Sequence, residues 1–437
     1  MSNRFVERTE QALAAIEAAG DEGRRIFPQV YADAAREAAR AADERAARGI
    51  SLGPLDGRVV SVKDLFDVAG EATTAGSAVM RHAAPAKSDA LIVQRLRAGG
   101  AVIVGKTNMT EFAFSGIGIN PHFGTPGNAR DATRIPGGSS SGAGVAVARG
   151  MSEISIGSDT GGSVRIPSAL NGVTGWKPTQ ARVSREGAFP LSFSLDTVGP
   201  LARSVRDCVQ ADAVLSGESR APAVARRSVS GLRLGIPRGL LFTQADEGVL
   251  ASFEDLVQAL SATGARVEDM DLEQWMTAPF KLQEGGTLIA SEASHIHAAT
   301  VRDHASEIDQ RVLARIRAGE EIPAPYYVGL QRERTRWQGL LDEQMADLDA
   351  LILPTVPILA PRIDDLQADT ELFQRTNLLV LRNPSVFNFY DLPALSLPIQ
   401  TEAGELPRAV MVVGRRGGDS ALLSIGVALQ EQIDLLR

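Results

Sequence analysis

Apolar and polar positions repeat along the chain with two periods, one typical of helices and one typical of buried strands. Residues 5–20 and 30–49 place apolar side chains at helical spacing among mixed charges, which predicts two amphipathic covering helices. Residues 89–98 predict another helix, a glycine pair follows, and residues 101–105 predict a buried strand. Helix, glycine and apolar strand in this order indicate an α/β layered fold.

The second half of the chain continues this pattern. Further strands are predicted at 232–237, 265–269, 349–357 and 409–414, and further helices at 247–263 and 420–435. A length of 437 residues exceeds one ordinary small core, but it allows a single large α/β unit with a wide sheet.

A run of helices is predicted at 282–341, and it carries three of the five histidines. These are His295, His297 and His304. Spacings of two and seven residues do not bring all three to one face of a helix. We therefore expect ordinary, partly exposed histidines and no metal site.

Charge and cysteine content narrow the class of protein. The net charge of −8 is spread over mixed acidic and basic residues, whereas nucleic-acid binding needs a basic face. The single cysteine, Cys208, lies at a core position of a predicted helix and fits a reducing compartment. No apolar run is long enough for a membrane span, and no export signal is visible. We expect a cytoplasmic protein without nucleic-acid or membrane partners, and we leave a homodimer open.

The chemistry concentrates in residues 135–179, where two glycine pairs are each followed by serine. The first is Gly137-Gly138-Ser139 and the second is Gly161-Gly162-Ser163. Paired glycines let the backbone approach a ligand closely, so each serine could act beside backbone N–H donors. A phosphate-binding loop would need a lysine directly after its second glycine, and neither motif has one.

The ordered motifs PGGSSSG, SDTGGSVRIP and GWKPT resemble those of the amidase signature family of serine hydrolases. The resemblance implies one α/β/α layered domain over residues 1–437, with a mixed central β-sheet covered by helices. In that arrangement residues 1–50 form N-terminal covering helices and 51–215 form the signature core. Residues 216–437 complete the sheet and the substrate pocket.

The resemblance also implies a catalytic triad without histidine. Ser163 matches the nucleophile, Ser139 the bridging serine after a cis peptide bond from Gly138, and Lys63 the base. Lys63 ends a short apolar strand, where its charge is costly to bury. Burial among hydroxyl groups would lower its pKa and keep the amine neutral, as a base must be. The family uses no metal and no cofactor.

Further positions match the family's substrate and oxyanion site. They are Ala113, Ser139, Thr160, Gly161, Gly162 and Ser163. The residues before Ala113 equally fit a helix start capped by Thr107 or Asn108. Asp159 and Arg165 flank the nucleophile, and we expect them to form an ion pair that fixes the loop rather than to contact substrate.

The resulting hypothesis is an amidase that hydrolyses a small carboxylic amide to an acid and ammonia or an amine. An alternative is a protein similar to the glutaminase subunit of tRNA-dependent amidotransferases, which works with a partner. A catalytically silent binding relative is a third interpretation. The intact set of Lys63, Ser139 and Ser163 argues against it.

Overall fold

A computed structural model describes residues 3–218, 227–399 and 404–435. Its strands, all in one sheet, are β1 (Gln29–Val30), β2 (Val59–Lys63), β3 (Val102–Thr107), β4 (Ile154–Asp159), β5 (Thr174–Lys177), β6 (Thr197–Ala202), β7 (Arg233–Ile236), β8 (Arg266–Asp269), β9 (Ala350–Pro354), β10 (Ala394–Ile399) and β11 (Arg408–Val413).

Helices separate most of these strands in the sequence. Over the described residues they are α1 (Arg4–Ala18), α2 (Asp21–Ile26), α3 (Ala32–Ala47), α4 (Leu91–Ala98), α5 (Ser141–Ala148), α6 (Arg165–Asn171), α7 (Val205–Ser216), α8 (Glu247–Ala262), α9 (Glu273–Leu282), α10 (Leu288–Ile296), α11 (Ala298–His304), α12 (Gln310–Arg317), α13 (Ala324–Gln344), α14 (Ile363–Ala368), α15 (Thr370–Phe389) and α16 (Asp419–Asp434).

The strand order across the sheet is β1-β3-β2-β4-β6-β5-β10-β11-β9-β7-β8. Strand β2 runs parallel to both β3 and β4, β7 runs parallel to β8 and β9, and the remaining neighbours are antiparallel. The expected mixed central sheet covered by helices is therefore confirmed.

Strand β3 illustrates how both faces of the sheet are covered. Val102 and Val104 belong to a buried cluster with residues of α1, α3 and α5, whereas Ile103 belongs to a cluster that includes α4 and α7. Alternate side chains of a strand point to opposite faces, so each face has its own helical layer. Cys208 of α7 is fully buried, as expected for a core residue.

Most predicted elements lie within a few residues of the observed ones, but several elements were not predicted, including the 20-residue helix α15 and some short ones. Helix α2 and strand β1 have six and two residues, too few for a periodic pattern. The predicted helical run at 282–341 is divided into α10 to α13. Within the described part of the chain, no helix has the length and apolar character needed to cross a bilayer.

Helix α5 packs unusually close to its neighbours because its residues are small. Its sequence is SGAGVAVA, and every residue up to Val147 is buried. A Cβ at Gly142 would lie 2.6 Å from the Ile26 carbonyl oxygen, and a Cβ at Gly144 would lie 2.9 Å from that of Pro167. The backbone of α5 therefore fits tightly between α2 and α6, and it places the loop before it over the ends of β2 and β4.

Candidate active site

The parallel pairing of β2 and β4 brings two of the sequence motifs together. Lys63 is the last residue of β2, and Ser158 and Asp159 are the last two of β4. Adjacent parallel strands end at the same edge of a sheet, so the lysine and the start of the SDTGGS loop meet there.

Lys63 is fully buried and is held by hydroxyl groups. Its Nζ lies 2.7 Å from Ser139 Oγ and 2.9 Å from Ser158 Oγ. Burial lowers the pKa of Lys63 to about 7, against the opposing effect of the carboxylates of Asp196 and Asp159. The amine is thus substantially neutral near pH 7, as we expected for a base.

Ser139 stands in the loop that precedes α5, and the peptide bond from Gly138 is cis, as the resemblance implied. The loop is fixed through its backbone on both sides of that bond. The Thr110 N–H donates to the Ser139 carbonyl (3.0 Å), and the Gly138 N–H donates to the Gly116 carbonyl (2.8 Å). Ser139 is fully buried, so its hydroxyl is held against the Lys63 amine.

Ser163 lies beside this loop with 4% of its surface exposed. The Ser140 N–H donates to the Ser163 carbonyl oxygen at 3.3 Å, which joins the two serine loops. Within the described residues the Ser163 hydroxyl makes no hydrogen bond, and none links it to Ser139 Oγ. The structure therefore brings Lys63 and Ser139 into direct contact and places Ser163 next to them without the second contact.

Asp159 organises the loop that carries Ser163. Its carboxylate accepts the N–H of Gly162 (2.9 Å) and that of Val164 (3.1 Å), and it forms an ion pair with Arg165 at 2.9 Å. Burial alone would raise the pKa of Asp159, but the Arg165 guanidinium holds that pKa well below its usual range. Both side chains are completely buried, so the expected loop-fixing ion pair is confirmed.

The two glycines before Ser163 have different tasks. Gly162 has a φ of +130°, and a Cβ there would lie 2.7 Å from Pro384 Cβ. Its N–H is occupied by Asp159, contrary to our expectation that it faces the developing oxyanion. The N–H groups of Thr160, Gly161 and Ser163 have no acceptor among the described residues, so they are the available donors.

The Amidase family matches residues 7–423 of the chain. The chain belongs to the amidase family. It is 35% identical to 2-amino-5-chloromuconic acid deaminase of Comamonas testosteroni, over 98% of this chain and 94% of that protein. It is 33% identical to a glutamyl-tRNA(Gln) amidotransferase subunit of Symbiobacterium thermophilum, over 98% and 93%. A crystal structure of an amidase superimposes with a TM-score of 0.86 at 33% identity, over 98% of this chain and 96% of that one.

A cavity of about 340 Å³ adjoins the end of β4 in this family member, where Ser158 and Thr160 line it. Its wall is mixed in character and is formed by Leu65, Ala113, Ser158, Thr160, Arg185, Glu186, Ala188, Phe189, Pro190, Leu191, Phe193, Asp196, Thr197 and Val198. A volume of this size suits a small molecule.

Ala113 forms part of the cavity wall, and the segment before it does not begin a helix capped by Thr107 or Asn108. Strand β3 continues through Thr107, and the Asn108 amide donates to the carbonyls of Arg25 and Gly124. The alternative of a cap at either residue is therefore wrong. Ala113 follows in a short 3-10 turn with a φ of +59°, an uncommon conformation for a residue with a side chain.

One of the three helical histidines departs from the expected partial exposure. His295 and His304 are exposed, but His297 is fully buried, at the junction between α10 and α11. Its ring lies 4.2 Å from that of Phe112 and 5.7 Å from that of Phe189. Both ring nitrogens lack a hydrogen-bond partner in the described ranges, and burial lowers the pKa of His297 to about 4. The prediction for this residue was wrong because the helix break turns it inward.

Three residues of the site were not anticipated from the sequence. Ser158 binds Lys63, Asp196 accepts a hydrogen bond from Thr160, and Asn388 donates to Asp159. Ser158 is the first residue of the SDTGGSVRIP motif, and its role could have been found from the strand register. The other two lie 37 and 229 residues beyond Asp159 in sequence, and only the fold brings them there.

Proposed function

We propose that this protein hydrolyses the amide bond of a small carboxylic amide through a Ser163 acyl-enzyme, which yields an acid and ammonia or an amine. The observation that carries the proposal is the buried Lys63 amine, 2.7 Å from Ser139 Oγ and with a pKa of about 7. Membership of the amidase family and the identity with amide-processing relatives support the reaction type.

Acylation would start with attack of Ser163 Oγ on the amide carbon. The Ser163 proton moves to Ser139 Oγ as the Ser139 proton moves to Lys63 Nζ, and the carbonyl electron pair moves onto oxygen. The Lys63–Ser139 hydrogen bond supports the second transfer. The first transfer, from Ser163 to Ser139 Oγ, would be completed by rotation of the Ser163 hydroxyl, which has no other partner among the described residues.

The tetrahedral intermediate would be stabilised by backbone donors. The N–H groups of Thr160, Gly161 and Ser163 are available for this task, and the loop around them is held rigid by Asp159. Donors that are fixed before reaction cost no reorganisation when the charge develops on oxygen.

Collapse of the intermediate would return the proton from Lys63 through Ser139 to the leaving nitrogen. The carbon–nitrogen bond breaks, ammonia or an amine departs, and the acyl group stays on Ser163. Water then attacks the ester, its proton follows the same route to Lys63, and the acid is released with the Ser163 hydroxyl restored.

A second candidate function is that of one component of an amidotransferase complex, favoured by the match to a glutamyl-tRNA(Gln) amidotransferase subunit over 98% of this chain. The two functions differ in their need for a partner. Turnover of simple amides by the isolated chain would favour the independent hydrolase. Activity that requires a copurifying partner protein would favour the alternative.

The decisive test is mass spectrometry of the protein after treatment with a serine-directed fluorophosphonate. We expect one phosphonyl adduct, on Ser163, formed by displacement of fluoride. Ser163→Ala should lose both the adduct and amide turnover while it retains its circular dichroism spectrum. Ser141→Ala is the matched control, since the Ser141 hydroxyl donates to the Asn108 carbonyl, at 3.3 Å, away from Lys63. An adduct on another serine, or turnover by Ser163→Ala, would contradict the proposal.

We also propose that the protein works in the cytoplasm on a small molecule. Fractionation of a tagged chain tests the location, and the mass of the protein in solution by light scattering distinguishes a monomer from a homodimer.

A further inference from the structure

A buried carboxylate without a cation stands in the cavity wall. Asp196 is 9% exposed, and no ion pair forms to it among the described residues. Its Oδ1 accepts the Thr160 hydroxyl at 2.6 Å, and its Oδ2 accepts the N–H groups of Leu191 (2.9 Å) and Ser192 (3.0 Å). Buried carboxylates are usually paired with a cation, so this one lacks its usual partner.

The surroundings of Asp196 connect it to the triad. It lines the cavity together with Thr160 and Ser158, and the Ser158 hydroxyl is bound by Lys63 at 2.9 Å. Its neighbour Thr197 donates its hydroxyl to the Asp159 carbonyl at 2.7 Å. Through Thr197, Asp196 is therefore linked to the end of β4. The same strand end carries Ser158, which is hydrogen-bonded to Lys63.

We propose that Asp196 is a positioning residue that supplies the counter-charge for the Lys63 ammonium formed during acylation. This inference rests on the proposed function. It adds a fourth residue to the proton relay, one that acts through Lys63 and does not touch the reacting atoms.

The charges that face Lys63 explain why this role falls to Asp196. On strand β4, Asp159 is already neutralised by its ion pair with Arg165 at 2.9 Å. On β3, Lys106 pairs with Asp64 at 3.0 Å. The hydrogen bonds of the lysine are to hydroxyl groups, and α5 carries no charge.

Three donors favour the ionised form of Asp196. Burial is the largest effect and raises the pKa of Asp196 above its usual value, and the Thr160 hydroxyl, the N–H groups of Ser192 and Leu191 and the charge of Arg185 in the same cavity wall partly offset it. In its ionised form the carboxylate favours the charged form of Lys63 at the moment when the lysine receives a proton. Amide attack produces that ammonium and an oxyanion together, so its stabilisation lowers the barrier.

The test is the pH dependence of kcat in Asp196→Asn, with a simple amide as substrate. Loss of the negative charge should lower the pKa of Lys63. The fall of kcat on the acid side of the pH profile, the acid limb, should therefore move to lower pH by roughly one unit. In addition, kcat should decrease about tenfold, with KM changed little. Asp196→Glu, which keeps the charge, should return the limb toward its original position. Asp303→Asn is the matched control, because it removes a carboxylate that is exposed on α11 and paired with Arg302, and its limb should stay in place.

Two further outcomes keep the test decisive. If Asp196→Asn does not fold, Asp196→Ser removes the charge but leaves a hydroxyl acceptor for Thr160, and the same shift is expected. An acid limb that is present in the natural protein but unmoved in a folded neutral variant would overturn this inference alone. Absence of any acid limb in the natural protein would instead count against Lys63 as the base.

Discussion

The neutral lysine predicts a specific pH profile. Because burial lowers the pKa of Lys63 to about 7, the neutral amine should dominate above pH 7 and the ammonium below it. An ordinary lysine, with a pKa of about 10.4, would be almost wholly charged there. The difference of about 3.4 pKa units corresponds to on the order of 5 kcal/mol in favour of the neutral form.

The magnitude follows from one required deprotonation. If only the neutral amine accepts the Ser139 proton, kcat/KM should fall about tenfold for each pH unit below the pKa. Activity at pH 6 should thus be roughly one tenth of the plateau, and activity at pH 5 roughly one hundredth. The assay is ammonia or amine release at substrate concentrations below KM, measured from pH 5 to pH 9.

Lys63→Arg is the informative variant for this profile. Arginine keeps a cation and its donors, but its pKa exceeds about 12, so it cannot act as the base. We expect almost no turnover at any pH in that range, with the fold retained by circular dichroism. A rate that rises with a midpoint near pH 4 to 5, or substantial activity of Lys63→Arg, would refute the assignment of Lys63.

Two further substitutions test other parts of the structure. Gly162→Ala should greatly reduce turnover, because its φ is +130° and a Cβ would meet Pro384 at 2.7 Å, whereas Gly161→Ala, with its nearest neighbour at 3.6 Å, should retain far more activity. Equal kcat/KM in the two variants would contradict this distinction. His297→Phe should raise the midpoint of thermal unfolding. The substitution removes a buried ring whose two nitrogens have no hydrogen-bond partner among the described residues, and this should stabilise the fold by about 1–2 kcal/mol. The folded-state pKa of about 4 lies below the ordinary 6.5, so the unfolded chain binds more protons between these values and the benefit should grow as pH falls through that window. His295→Phe, at an exposed position, serves as the control, and an unchanged or lower midpoint for His297→Phe would contradict the reasoning.

Local patterns in the chain, together with the family resemblance they carry, were enough to predict the kind of fold. Hydrophobic periodicity predicted β2, β3 and the helix between them, since long periodic segments follow local rules. The two glycine-serine motifs predicted the loops that carry Ser139 and Ser163. The family resemblance, rather than the position of Lys63 at the end of an apolar strand, predicted a buried amine, and burial lowers its pKa to about 7.

Which groups share that environment depends on contacts between distant parts of the chain. The partnership of Asp159 with Asn388 joins residues 229 positions apart, and no local pattern encodes such a distance. The Gly162 N–H turned inward because the loop folds around the Asp159 carboxylate, which a motif cannot reveal. His297 became buried because a helix ends there against an aromatic cluster. Local periodicity specifies elements, whereas burial and charge pairing depend on how distant elements pack, and the site is built from that packing.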